Sequence, residues 1–348
     1  MKRSWIGGAV GLTLLLAACS GSGSDGGSSE SPASQSASST QAATGNPSET
    51  ASTPVATAPF EEVLVQINVN ASTLGIVTDP VRPMVWVTAG DAVVGIDTET
   101  NSPVERIKGF RLASSLAISE DGSTGYTLDL SRNEVVQLDL DNAETGLRVK
   151  VGKDSYDLLL SSDGGSLLVG VESERQIAVL NPADLAEIGA IDLSGSPSAL
   201  AEGPSGTYFV ALGSQDSVVE VDLTSSEVVR TFTVQDEPTD LAVSPDGSRL
   251  YVANLDADTV TVIDLASGGI ERSIAVGSSP SSITISLDGA YAYVTNYRGG
   301  NVDVIDTASG DVIDSIEVDY APAYMTLSLD GTRGYVSGGD IQVLAPTQ

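Results

Sequence analysis

The sequence predicts an all-β protein: a seven-bladed β-propeller of four-stranded blades, closed by an N-terminal strand that completes the last blade. Three observations predict it. Turn signals recur at Asp79-Pro80, Asp121-Gly122, Asp163-Gly164, Pro204-Ser205-Gly206, Pro245-Asp246-Gly247, Asp288-Gly289 and Asp330-Gly331. From Asp79 through Ser205 to Asp330 the steps are 42, 42, 42, 41, 42 and 42 residues. Between turns lie short runs that alternate or stay apolar over four to six residues and are bounded by Gly, Asn and Asp, which is strand chemistry. The two ends of the repeating region are also complementary, one lacking a strand and the other carrying a spare.

Residues 1–18 are read first, as a processing segment. Lys2 and Arg3 form a positive start, an apolar run follows from Ile6 to Leu16, and Leu16-Ala17-Ala18-Cys19 comes next. The run is too short to span a bilayer as a stable helix. The segment resembles a bacterial lipoprotein signal. That resemblance implies cleavage before Cys19, acylation of its thiol, and a protein anchored by lipid to the cell membrane on its extracytoplasmic side. Removing residues 1–18 takes away two positive charges and no acid, so the formal charge moves from −31 to −33.

Residues 19–59 then hold the lipidated Cys19 and a tether of Ser, Thr, Ala, Gly and Pro. From residue 20 on, the tether carries three acids (Asp25, Glu30, Glu49) and no Lys or Arg. Val55 is its only large aliphatic residue, so burial offsets little of the entropy of ordering it. As a flexible coil it reaches roughly 35 Å.

Residues 60–348 form the propeller. In the unit at 280–320, strands are expected at Ser282–Ser286, Ala290–Thr295, Val302–Ile305 and Val312–Val318, with the Asp288-Gly289 turn between the first two. Asp97, Asp139, Asp222, Asp264 and Asp306 recur once per unit before a turn, where a side-chain cap of the turn amides explains them. The last unit has three strands (Met325–Ser328, Thr332–Ser337, Ile341–Leu344) and no fourth. Val63–Val69 has no unit of its own, and its pattern mirrors Val312–Val318. It is assigned as the missing outer strand of the seventh blade.

Tyr251-Val252-Ala253-Asn254 and Tyr293-Val294-Thr295-Asn296, with Pro245-Asp246-Gly247 and Val262-Ile263-Asp264 around them, resemble the repeat of YVTN propellers of bacterial and archaeal surfaces. The fifth and sixth units match well. Tyr126-Thr127-Leu128-Asp129 and Tyr335-Val336-Ser337-Gly338 depart from the pattern. The resemblance covers residues 60–348 and implies the fold; such propellers host unrelated activities.

Composition removes several function classes. With 16 Lys+Arg against 47 Asp+Glu, nucleic acid is an unsuitable partner, because binding there draws on several cation–phosphate contacts. The absence of histidine excludes His general bases, Ser–His–Asp and Cys–His nucleophiles, and His-ligated metals. The single cysteine, Cys19, excludes an internal disulfide. The reading is therefore a binding or protein-interaction module of the cell envelope, whose ligand is an envelope protein, a glycan or a small molecule. The alternative is a histidine-free hydrolase or lactonase-like enzyme, using carboxylates and a divalent cation at the central mouth.

Candidate residues follow from the repeat. The entry to each inner strand falls at Thr73, Ser115, Asp157, Ala199, Asp240, Ser282 and Tyr324, which are expected to ring one mouth of the channel. Tyr156, Asp157, Asp240, Tyr297, Arg298, Tyr320 and Tyr324 are the candidate ligand-binding residues there. Asn254, Asp256 and Asp258 space three oxygen side chains as a weak calcium or magnesium loop would, without the Gly and Glu that complete an EF-hand loop; no other cofactor is expected. Arg106, Lys108, Arg111, Arg132, Arg148, Lys150 and Lys153 concentrate positive charge on the first two blades. Four of them lie on predicted outer strands, where charge guards a sheet edge.

Overall fold

A computed structural model describes residues 58–319 and 321–346. Cys19, tether residues 20–57 and Tyr320 lie outside the described residues. Among the described residues, 28 strands form seven four-stranded antiparallel sheets. The sixth blade consists of Pro280–Ile285, Tyr291–Asn296, Asn301–Asp306 and Val312–Glu317, as the period predicts. The seventh contains Met325–Leu327, Gly334–Val336 and Ile341–Ala345, and its outer strand is Glu62–Ile67. Glu62 pairs with Ala345 and Ile67 with Ile341, so the N-terminal strand closes the ring.

The apolar residues that make the strands also fix how blades stack. Seven hydrophobic clusters are present, each shared by two neighbouring blades. Inner and middle strands are buried nearly throughout, whereas an outer strand such as Ser102–Lys108 buries only Ile107. Phe232, Ile274 and Ile316 repeat that pattern on their own outer strands. A large aromatic recurs on the second strand: Trp86, Tyr126, Tyr251, Tyr293 and Tyr335 are each at most 4 % exposed. Phe60, just ahead of the closing strand, stacks on Tyr293 of the sixth blade at 4.6 Å between ring centres. The closing strand is thereby tied to two blades.

Polar residues complete each blade at one face. In five blades the turn between first and second strands has one construction. The hydroxyls of Ser119, Ser161, Ser244, Ser286 and Ser328 donate to the Asp two residues on, at 2.6–2.7 Å. That Asp also accepts a backbone N–H beyond the glycine, at 2.8–3.0 Å. Gly122, Gly164, Gly247, Gly289 and Gly331 all have φ near +70°, which is why glycine follows the Asp. The first blade departs from this: Asp79 is fully buried, paired with Arg82 at 2.7 Å, and accepts the indole N–H of Trp86. Asp97, Asp139, Asp222, Asp264 and Asp306 cap the turns between third and fourth strands on this same face.

Candidate functional site

The face opposite the Asp-Gly turns is built from the loops that enter each blade and those joining its second and third strands. The entry loops keep a repeating proline (Pro197, Pro238, Pro280, Pro322), but both loop series otherwise vary, and at the centre they enclose a cavity of about 820 Å³. Tyr156, Tyr297, Tyr324 and Asp256, reached by different lines of sequence reasoning, all contribute to its wall. Hydroxyls of Ser72, Thr73, Ser196, Ser198, Ser214 and Ser281 alternate with them, and Glu172, Asp216, Asp236 and Glu237 add to the acidic side. Among the described residues no Lys or Arg belongs to the wall.

Asp157 and Asp240 are placed differently from the expectation. They are 3 % and 1 % exposed and lie below the mouth, within the inner strands. The pairing register of those strands shifts between Ser155 and Asp157 and between Pro238 and Asp240. This bulge turns the carboxylates sideways, toward the neighbouring blade. Asp157 accepts the Ser115 hydroxyl of the second blade at 3.0 Å, its own neighbour Leu158 N–H at 2.9 Å, and Leu200 N–H of the fourth blade at 2.8 Å. Asp240 accepts Leu241 N–H and, from the sixth blade, Ile283 N–H at 2.9 Å. Of the seven ring positions only Thr73 and Tyr324 reach the cavity wall; Tyr324 itself is 2 % exposed.

These contacts form part of a belt that crosses every blade boundary. Ser114 donates to Leu74 O, Ser198 to Pro238 O, Thr239 to Pro280 O and Ser281 to Ala323 O, while Thr73 accepts from Gly338 N–H across the closure. Burial pushes the Asp157 carboxyl well above the usual range, and the charge on Asp240 adds to it. Hydrogen bonds from Leu200 and Ser115 pull the other way. Burial likewise pushes Asp240 up to about 7 against the bonds from the Ile283 and Leu241 N–H groups. The two groups are inter-blade staples with perturbed acidity, not rim contacts.

The three oxygen donors of the candidate metal loop do not converge. Asn254 is fully buried, with its amide nitrogen on Thr261 at 2.9 Å. Asp258 accepts Ser279 N–H at 2.7 Å, and Asp256 faces the cavity. Among the described residues no three His, Cys, Asp or Glu side chains are grouped as a metal site. Arg298 is exposed on the loop that carries Tyr297 and is not in the wall. Among the basic residues, Arg132 and Arg148 both donate to Gly109 O, while Arg148 and Lys150 flank Glu134. Sequence reasoning missed Glu172, Asp216, Asp236 and Glu237, whose signal is that they lie in the non-repeating loops.

Comparisons with known proteins agree with this architecture. A chain of Kuenenia stuttgartiensis hydrazine synthase is similar over 81 % of this chain and 98 % of its own, with 17 % identity and a TM-score of 0.71. As many as 1784 chains of solved structures match significantly, so this likeness identifies the fold and selects no activity. No curated protein matches. The model of the YNCE-like beta-propeller family matches residues 96–285, more than half of the sequence, in keeping with the YVTN-type repeats. The chain belongs to the YNCE-like β-propeller family.

Proposed function

We propose that the protein is a lipid-anchored binding module of the cell envelope that engages its ligand at the propeller mouth. The fold is that of a protein-interaction module in general. What supports the finer reading is the cavity: Glu172, Asp236, Asp256 and Tyr297 in its wall stand at loop positions that vary between repeats, and in repeat proteins specificity is written at such positions. Its acidic wall disfavours nucleic acid. The anchor rests on the signal-like run before Cys19, and the tether on the composition of residues 20–59. The hydrolase alternative draws no support from Asp157 and Asp240, whose carboxylates are occupied by N–H donors.

The test is retention of envelope components on the immobilised protein. Components held by the wild type are expected to be lost from Tyr297→Ala and Asp256→Ala proteins and kept by Asp246→Ala on the opposite face. Retention unchanged by the mouth substitutions and abolished by Asp246→Ala would overturn the choice of surface. For the anchor, Cys19→Ser is expected to leave the membrane fraction or persist as uncleaved precursor. Fractionation identical to wild type would remove the lipid from the proposal.

A further inference from the structure

The mouth contains carboxylates that the protein does not use. Glu172, Asp236 and Asp256 stand in the cavity wall with no ion pair or side-chain hydrogen bond among the described residues. Asp216, by contrast, is engaged by the N–H of Glu237 at 3.1 Å. Glu172 is partly buried, and burial together with the neighbouring Asp154 pushes its carboxyl above the usual carboxylate range. The wall therefore concentrates negative charge that no Lys or Arg among the described residues balances.

The chain has cations to spend elsewhere. Eight of the fourteen Lys and Arg after residue 60 gather on the first two blades and their adjoining loops. Arg175 shares a loop with Glu172, and Arg298 shares one with Tyr297, yet neither enters the wall. The aromatic faces of Tyr156 and Tyr297 contribute a surface suited to carbon chains and to cations.

A ligand must answer this arrangement. An anion is repelled. A neutral sugar suits the hydroxyls but leaves the carboxylates to lose water without compensation. The volume of about 820 Å³ falls in the range of small-molecule sites. We infer that the mouth binds a small organic polycation, with ammonium groups set against Glu172, Asp236 and Asp256 and its carbon chain against Tyr156 and Tyr297. This rests on the mouth being the binding surface.

Calorimetric titration of the full-length protein with spermidine tests it, with tri-lysine, calcium chloride and maltose as parallel probes. Spermidine is expected to bind saturably, and more weakly as salt screens the carboxylates. The triple variant Glu172→Gln, Asp236→Asn, Asp256→Asn is expected to weaken it at least tenfold. Because the whole chain is strongly negative, a matched control is needed: Glu144→Gln, Glu187→Gln, Glu227→Gln removes the same charge from the outer strands and is expected to leave affinity within twofold.

Equal weakening by both triples overturns the inference, since the polyamine would then be held by net charge alone. Calcium binding that the mouth triple abolishes, without spermidine binding, also overturns it, in favour of a metal ion. Tri-lysine bound at the mouth in place of spermidine keeps the ammonium chemistry and assigns its source to a protein side chain. Maltose binding abolished by Tyr297→Ala, without spermidine binding, overturns the cation and leaves the mouth as the site. No saturable binding of spermidine or tri-lysine overturns the cation outright, while the retention experiment still decides the surface.

Discussion

The two faces of this propeller use the same side chain in opposite ways. On the turn face, Asp121, Asp163, Asp246 and Asp330 each hold a serine hydroxyl and a backbone N–H, and these bonds keep their carboxyls below the usual range. On the mouth face, Asp236 and Asp256 hold nothing. Between them, inside the ring, Asp157 and Asp240 are fully engaged yet shifted upward because burial outweighs their hydrogen bonds. A carboxylate's role is thus set by how many donors meet it and how much water it keeps. Acidic composition alone would have treated all three groups alike.

The contrast can be broken most forcefully in the belt. Asp157→Ala removes the acceptor from Leu158 N–H, Leu200 N–H and the Ser115 hydroxyl. Unpaired buried donors are costly, so a loss of about 3 kcal/mol is expected, read as a fall in denaturation midpoint. A loss no larger than that of an exposed turn Asp would mean the belt carries no tension between blades.

Acidity sharpens the same point. Asp240 titrates near 7 in the folded protein against 3.8 as its ordinary value. A group with a raised folded pKa contributes its stability fully below the unfolded value and loses it as pH rises through the folded one. The turn carboxylates, shifted down, lose theirs as pH falls below their ordinary range. Stability is therefore expected to be greatest at mildly acidic pH and to decline by a few kcal/mol toward neutrality. Asp240→Asn is expected to flatten that decline. A slope between pH 5 and 7 identical in wild type and variant would contradict the assignment.

The turn face comes next in size. Asp246→Ala forfeits bonds from Ser244, Ser248 and the Ser248 N–H, all in reach of water, and is expected to cost about 1 kcal/mol. The mouth is expected to be quietest. Asp236→Ala and Asp256→Ala are expected to move stability by no more than about 0.5 kcal/mol, with any effect appearing in ligand binding. A mouth substitution that destabilises more than Asp246→Ala would erase the distinction between the faces.

Most of the fold was legible because its cause is periodic. The turn Asp residues, the blade boundaries and the closing strand each follow from a pattern that repeats or visibly fails to repeat. The mouth face was legible for the same reason, and Tyr156, Tyr297 and Tyr324 were found there. The orientation of Asp157 and Asp240 was not, because it depends on a one-residue bulge, and a slip of one residue reverses the side a strand residue faces. A hint was present nonetheless. Four of the five equivalent positions, Thr73, Ser115, Ala199 and Ser282, are small (the fifth is Tyr324), and small residues mark a place where backbones approach. Gly75 shows how close: a Cβ there would stand 2.8 Å from Ser115 N. The acids missed at the mouth lie in loops of no fixed pattern, where only three-dimensional proximity reveals that they act together.

The pairing of Glu62 with Ala345 has a mechanical consequence. The third strand of the seventh blade leaves the mouth at Ile341 and ends on the turn face at Ala345, so the antiparallel N-terminal strand begins on that face too. Both ends of the described chain therefore exit from the back of the disc. A pull on the N-terminal segment against something gripped at the mouth runs along the strand axis. All five register pairs from Glu62 to Ile67 then bear the load at once, in shear. A pull between the two ends opens the same ladder pair by pair from Glu62, as a zip. The ring closure is built to resist the first kind of force and yield to the second.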